Sequence, residues 1–259
     1  MNKQHWFGFI GLALLLSAAP ASAEVVSTTA VADSVVDLNQ PGTALPTGDI
    51  VAAKEGAPET VATQLTFFYT QFDLPGGLTG QDILQLNSAQ LALARTGPNF
   101  SLTYHVYGIF DGLDSANAET LTWNDGLGFD PARNLVKFLG ADEISYYSDP
   151  AESAFVGTID TGAGGPGPFN FSSIAQSPTA AANLNNLILS DTDGRLTFYV
   201  GVRQNFGVTA LNTFASRENG NFPAPTLTLD FVRIPEPSAW LLLACGLACL
   251  TGRIKRLAM

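Results

Sequence analysis

Apolar and polar residues alternate one for one along several stretches of this chain, and that period restricts its fold more than any other feature. Leu196, Phe198, Val200 and Val202 alternate with Arg195, Thr197, Tyr199 and Arg203. Leu102, Tyr104 and Val106 alternate with Thr103, His105 and Tyr107, and the same pattern runs through Ala89–Ala94 and Thr226–Phe231. Successive side chains of an extended chain point to opposite faces, so these are half-buried strands of antiparallel sheets. Further strands are expected at Asp49–Ala53, Leu65–Leu74, Thr120–Trp123, Phe155–Ile159 and Asn212–Arg217. Glycine and proline clusters punctuate them, above all Gly162–Pro168. The stretch from Glu24 to about Pro46 reads as a strand or a loose arm. Helical spacing occurs once: Ser177 and Pro178 form an N-cap and first turn, and Leu184, Leu187 and Ile188 then share one side. The expected fold is all-β, an antiparallel β-sandwich with one short helix closing an end or edge.

Both ends of the chain depart from this pattern. Lys3 precedes an almost wholly apolar run from Phe7 to Leu16, and small residues follow up to Ala21-Ser22-Ala23. A basic start, a short apolar core and small residues before the scissile bond make a signal peptide, with signal peptidase cutting between Ala23 and Glu24. At the other end, Ile234-Pro235-Glu236-Pro237-Ser238 leads into Ala239–Gly252, apolar apart from Thr251, and then Arg253, Lys255 and Arg256. As a helix that apolar stretch would be roughly 21 Å long, against a hydrocarbon core of ~30 Å, so spanning needs its neighbours and snorkelling basic side chains. The basic cluster is expected on the cytoplasmic side, which puts everything before Pro235 outside. The order of Pro235-Glu236-Pro237, apolar helix and basic tail resembles the PEP-CTERM sorting signal. That resemblance implies processing by an exosortase in a Gram-negative bacterium that makes exopolysaccharide. The expected division is therefore a signal peptide at 1–23, a sandwich at 24–233 and a sorting signal at 234–259.

Charge and cysteine use narrow the function. The chain has 23 acidic and 12 basic residues. Four of the basic ones (Lys3, Arg253, Lys255 and Arg256) belong to the terminal signals, which leaves the exported part near −15. Such a charge excludes non-specific nucleic-acid binding and disfavours unaided adhesion to polyanions. The two cysteines, Cys245 and Cys249, lie in the C-terminal apolar segment, so the exported part has no disulfide.

Within the exported part, Tyr69-Thr70-Gln71-Phe72-Asp73-Leu74 and Leu86–Leu93 resemble the paired strands that open the DNRLRE-type jelly-roll module. Glu119-Thr120-Leu121-Thr122-Trp123-Asn124 is similar to its central Thr-Trp-Asn motif. Phe214-Ala215-Ser216-Arg217-Glu218-Asn219, followed by Pro225–Leu229, is similar to its closing Ser-Arg-Glu and final strand. The resemblance covers roughly Val31 to Val232. It implies a jelly-roll sandwich of the kind attached to secreted polysaccharide-degrading enzymes or carried on surface proteins, some binding carbohydrate such as alginate. Gln71 stands where that family usually has a basic residue, and the acidic surface would repel a bare polyuronate unless a cation bridged it.

Individual residues carry further expectations. Trp123 reads as a core or turn anchor, with a sugar platform as the alternative. Arg217 and Glu218, adjacent on an expected strand, would face opposite ways and make separate interactions. His105 is the one histidine outside the signal peptide, and its mid-strand position argues against a catalytic triad. If the two tyrosine-bearing strands share a sheet, His105, Tyr107, Tyr199 and Arg203 would form an open glycan-binding face, with an ordinary solvated face as the alternative. Asp191-Thr192-Asp193-Gly194 resembles the start of a calcium loop but lacks the later ligands and closing glutamate. It therefore reads first as an ordinary turn before a strand, with Asp191 and Asp193 as weak metal candidates; the jelly-roll resemblance leaves a structural calcium open elsewhere. The expected function is a non-enzymatic surface or matrix protein that binds or organises extracellular polysaccharide. A secreted hydrolase or lyase and a ligand-free structural protein are the rivals.

Overall fold

The computed structural model describes residues 22–37, 40–43, 51–54, 66–97, 101–128, 149–161, 167–172, 177–202 and 211–234. The expected signal peptide up to Ala21, the sorting residues Pro235, Glu236, Pro237, Arg253, Lys255 and Arg256, and Arg203 lie outside them. Eleven strands are described, in two antiparallel sheets. They are β1 (Ala23–Thr29), β2 (Ala32–Asp37), β3 (Val51–Lys54), β4 (Thr66–Asp73), β5 (Ile83–Gly97), β6 (Thr103–Ile109), β7 (Ser153–Asp160), β8 (Gly167–Ser172), β9 (Arg195–Val202), β10 (Leu211–Phe214) and β11 (Thr226–Arg233). One sheet runs β1-β11-β5-β10-β3, with β8 also paired to β5, and the other runs β2-β4-β9-β6-β7.

The alternation predicts which faces meet. Phe68 and Phe72 of β4, Tyr104 and Val106 of β6, and Leu196, Phe198 and Val200 of β9 share one buried cluster with Leu91 and Leu93 of β5 and Leu227, Leu229 and Phe231 of β11. Phe214 of β10 bridges the sheets, its ring 5.7 Å from Phe68 and 5.2 Å edge-on from Tyr104. Each fully buried side chain of this size contributes about 1.5–3 kcal/mol relative to exposure. The helix α1 (Pro178–Ser190) starts as expected: the Ser177 hydroxyl accepts from the Ala180 N–H at 3.1 Å. Its Leu184, Leu187 and Ile188 enter the same core. Among the described residues no helix is long and apolar enough to cross a membrane.

Three expectations change. The region Thr120–Trp123 is not a strand: a short 3-10 turn (Ala118–Thr120) leads into irregular chain. Its alternation arises because Leu121 and Trp123 both dip inward from a loop. Gly167 and Pro168 open the strand β8, where a break was expected. Arg217 and Glu218 sit in a turn just after β10, not on a strand, and their side chains form an ion pair. There the Arg217 guanidinium also meets Glu119 and the Val31 carbonyl, and its backbone N–H donates to Asp33 Oδ2 at 2.6 Å.

Candidate functional site

The strands β6 and β9 are direct neighbours, and Tyr107 lies opposite Tyr199 in register. Their rings stack at 4.7 Å with an interplanar angle of 7°. The sequence thus places both tyrosines correctly on the face away from the inter-sheet core, but that face is not open. Tyr107 is 1% exposed, Tyr199 0% and His105 4%, so none of the three presents a surface to a sugar ring.

The cover is the chain that follows β6. Ala118, Leu121 and Trp123 fold back over the outer face of the sheet and join Phe67, Tyr69, Tyr107, Ile109 and Tyr199 in a second buried cluster. The Trp123 indole stacks on Phe67 at 5.6 Å and 17°. Two buried phenols find acceptors in this cover: Tyr69 donates to the Leu127 carbonyl at 2.6 Å and Tyr199 to the Gly128 carbonyl at 3.0 Å. Burial pushes both phenols well above the usual tyrosine range, so they stay protonated donors. Gly128 has φ +83°, and a Cβ there would lie 2.7 Å from the Tyr199 ring, so the close approach requires glycine. Of the residues expected to bind glycan, Tyr107 and Tyr199 form part of the floor of a second core, and His105 is buried beside them.

A different group of chemistry-bearing side chains gathers at the end of the same sheet. Because β6 and β9 are antiparallel, the loop leaving β6 and the loop entering β9 emerge together. The first carries Asp111 and Asp114; the second carries Asp191 and Asp193. One carboxylate oxygen from each of the four lies within 4.8 Å of all the others. Asp114 and Asp191 are each 1% exposed, Asp111 is half-buried and Asp193 is exposed.

The partners of the four differ. Asp191 ends α1, and its carboxylate accepts from the backbone N–H groups of Gly80, Gly194 and Arg195 at 3.1–3.2 Å. Asp193 Oδ1 accepts from the Arg195 N–H at 2.9 Å, and Asp111 Oδ2 from the Thr192 hydroxyl at 2.8 Å. Asp114 Oδ1 is buried with no hydrogen-bond partner. The loop that presents Asp114 is fixed by Gln71, whose amide nitrogen lies 2.7 Å from the Asp114 carbonyl and 2.9 Å from that of Ala116.

Burial raises the Asp114 carboxyl to about 7, with Asp193, Asp111 and Asp191 adding to the shift. Burial likewise raises Asp191 to about 6, against the lowering effect of its backbone donors. Two full charges at such separations repel by about 4 kcal/mol at an effective dielectric of 20. The nearby guanidinium, Arg195, is bonded to a fifth carboxylate, Asp73, at 3.0 Å. Sequence reading singled out Asp191 and Asp193 but missed Asp111 and Asp114. The signal for them is a second Asp-rich turn, Asp111-Gly112-Leu113-Asp114, directly after a strand.

The chain enters and leaves the sandwich at one place. Ala23 pairs with Val232 and Glu24 with Phe231, and the Arg233 N–H donates to the Ser22 carbonyl at 3.4 Å. Ala23 is exposed there, and Glu24 lies 3.9 Å from the Arg233 guanidinium. No protein-family model matches the chain, and no curated protein matches it.

Proposed function

We propose that this chain is an exported, non-enzymatic protein of the cell surface or extracellular matrix in a Gram-negative bacterium. In this reading signal peptidase releases its start, the C-terminal segment anchors it transiently in the membrane, and an exosortase processes the tail at Pro235-Glu236-Pro237. Its jelly-roll sandwich then binds or organises exopolysaccharide.

The observation that carries the reading is the order of Pro-Glu-Pro, apolar segment and basic cluster over 235–256 in a chain that also opens on a signal-peptide pattern. The fold is compatible with it in one specific respect. A sandwich whose two ends lie side by side at Ser22 and Arg233 is able to stand on a membrane through a single edge. The reading does not rest on Tyr107 and Tyr199, whose rings are covered; the ligand contact belongs to another part of the surface.

The full-length chain, purified and mixed with the producer's own exopolysaccharide, is expected to sediment with it and to release no new reducing or unsaturated sugar ends. Steady release of such ends would replace this reading with the hydrolase or lyase. A chain that neither sediments nor turns over the polymer would leave it a structural protein without a glycan ligand.

A further inference from the structure

We propose that Asp111, Asp114, Asp191 and Asp193 bind one calcium ion, which pins the loop after β6 to the loop before β9. The inference stands independently of how the protein is sorted. Its first support is geometric: four oxygens from two loops far apart in sequence lie within 4.8 Å of one another. Calcium–oxygen bonds of 2.3–2.6 Å place ligands on opposite sides of the ion about 4.8 Å apart, so four oxygens within that span fit round one ion.

The second support is independent of the clustering. Asp114 is 1% exposed, and its Oδ1 is buried without any hydrogen-bond partner. A carboxylate oxygen taken out of water without a donor is costly, and Asp114 Oδ1 receives none, whereas the Asp191 carboxylate is held by three backbone N–H groups. A cation supplies what the protein does not. Carboxylate oxygens alone, with no imidazole or thiolate in the group, select a hard ion over zinc or copper. The site also adjoins the C-terminal end of α1, where the helix dipole favours positive charge. Arg195 flanks the group but its Nε is bonded to Asp73, and its Nη1 reaches the Ser115 carbonyl at 3.5 Å.

The sign of one substitution separates a cation site from a merely structural carboxylate. Asp114→Asn removes one charge from the cluster while keeping the shape. The full-length chain in detergent, stripped with EDTA, is expected to take up one calcium per chain in equilibrium dialysis and to melt about 5 °C higher when loaded. Asp114→Asn and, separately, Asp193→Asn are expected to weaken calcium binding at least 10-fold. In EDTA, Asp114→Asn is expected to melt no lower than the parent, because repulsion has been relieved. The proposal is overturned by absence of calcium uptake at millimolar concentration, or by unchanged affinity in both variants. An Asp114→Asn chain that melts well below the parent in EDTA would also overturn it, as would magnesium matching calcium in both uptake and melting shift.

Discussion

Replacing Trp123 with alanine is expected to lower stability by about 3–5 kcal/mol, the range for truncating a large buried aromatic side chain. The indole is 2% exposed and stacks on Phe67, on the outer face of the β2-β4-β9-β6-β7 sheet. It is the largest of the side chains that the loop after β6 lays over that face. Its loss opens a cavity and loosens the lid formed by Ala118 and Leu121, so water reaches Phe67 and Tyr199. Denaturant unfolding of parent and variant at matched slope measures the difference. A variant within 1 kcal/mol of the parent that had lost only polysaccharide retention would return Trp123 to the role of sugar platform.

The double variant Tyr107→Ala with Tyr199→Ala carries the largest expected effect. Each ring is at most 1% exposed, and the two stack on one another. Either truncation alone falls in the range of about 3–5 kcal/mol. Because the rings touch, the two losses are not additive, yet together they approach the whole stability of an ordinary domain, about 5–15 kcal/mol. The double variant is therefore expected to be unfolded or to melt far below the parent. Tyr199→Phe is the control: it keeps the ring, removes the hydroxyl with its bond to the Gly128 carbonyl, and is expected to cost about 1 kcal/mol. A double variant that melts like the parent contradicts the second core and reopens this face as a binding surface.

These two results bear on what a sequence discloses about such a fold. The strands β5, β6, β9 and β11 are legible because one face of each meets the other sheet, and burial of one face imposes period two. The helix is legible from Ser177, Pro178 and its apolar side, since capping and the first turn are local chemistry. The edge strand β1 has no fully buried residue, so no strict apolar alternation marks it. Alternation also does not say whether the second face is solvated or covered. Phe67, Phe68, Tyr69 and Phe72 of β4 make a nearly continuous apolar run, and such runs belong to strands buried on both sides. That run was the available sign that Tyr107 and Tyr199 lay under a lid. The misread segment Thr120–Trp123 is the lid itself, a loop whose two inward side chains imitate a strand. The aspartate group was half legible, because the meeting of its two turns is set by the β6–β9 pairing and not by either turn.

Sorting as proposed removes both ends of the chain from the mature protein. Intact mass of the protein recovered from the envelope and medium of its native cell measures this directly. The expected species begins at Glu24 and lacks the apolar segment and basic cluster beyond Pro237. A mature species that still ends at Met259 would contradict processing of the tail and make the C-terminal segment a permanent anchor, and one that begins at Met1 would contradict the signal peptide.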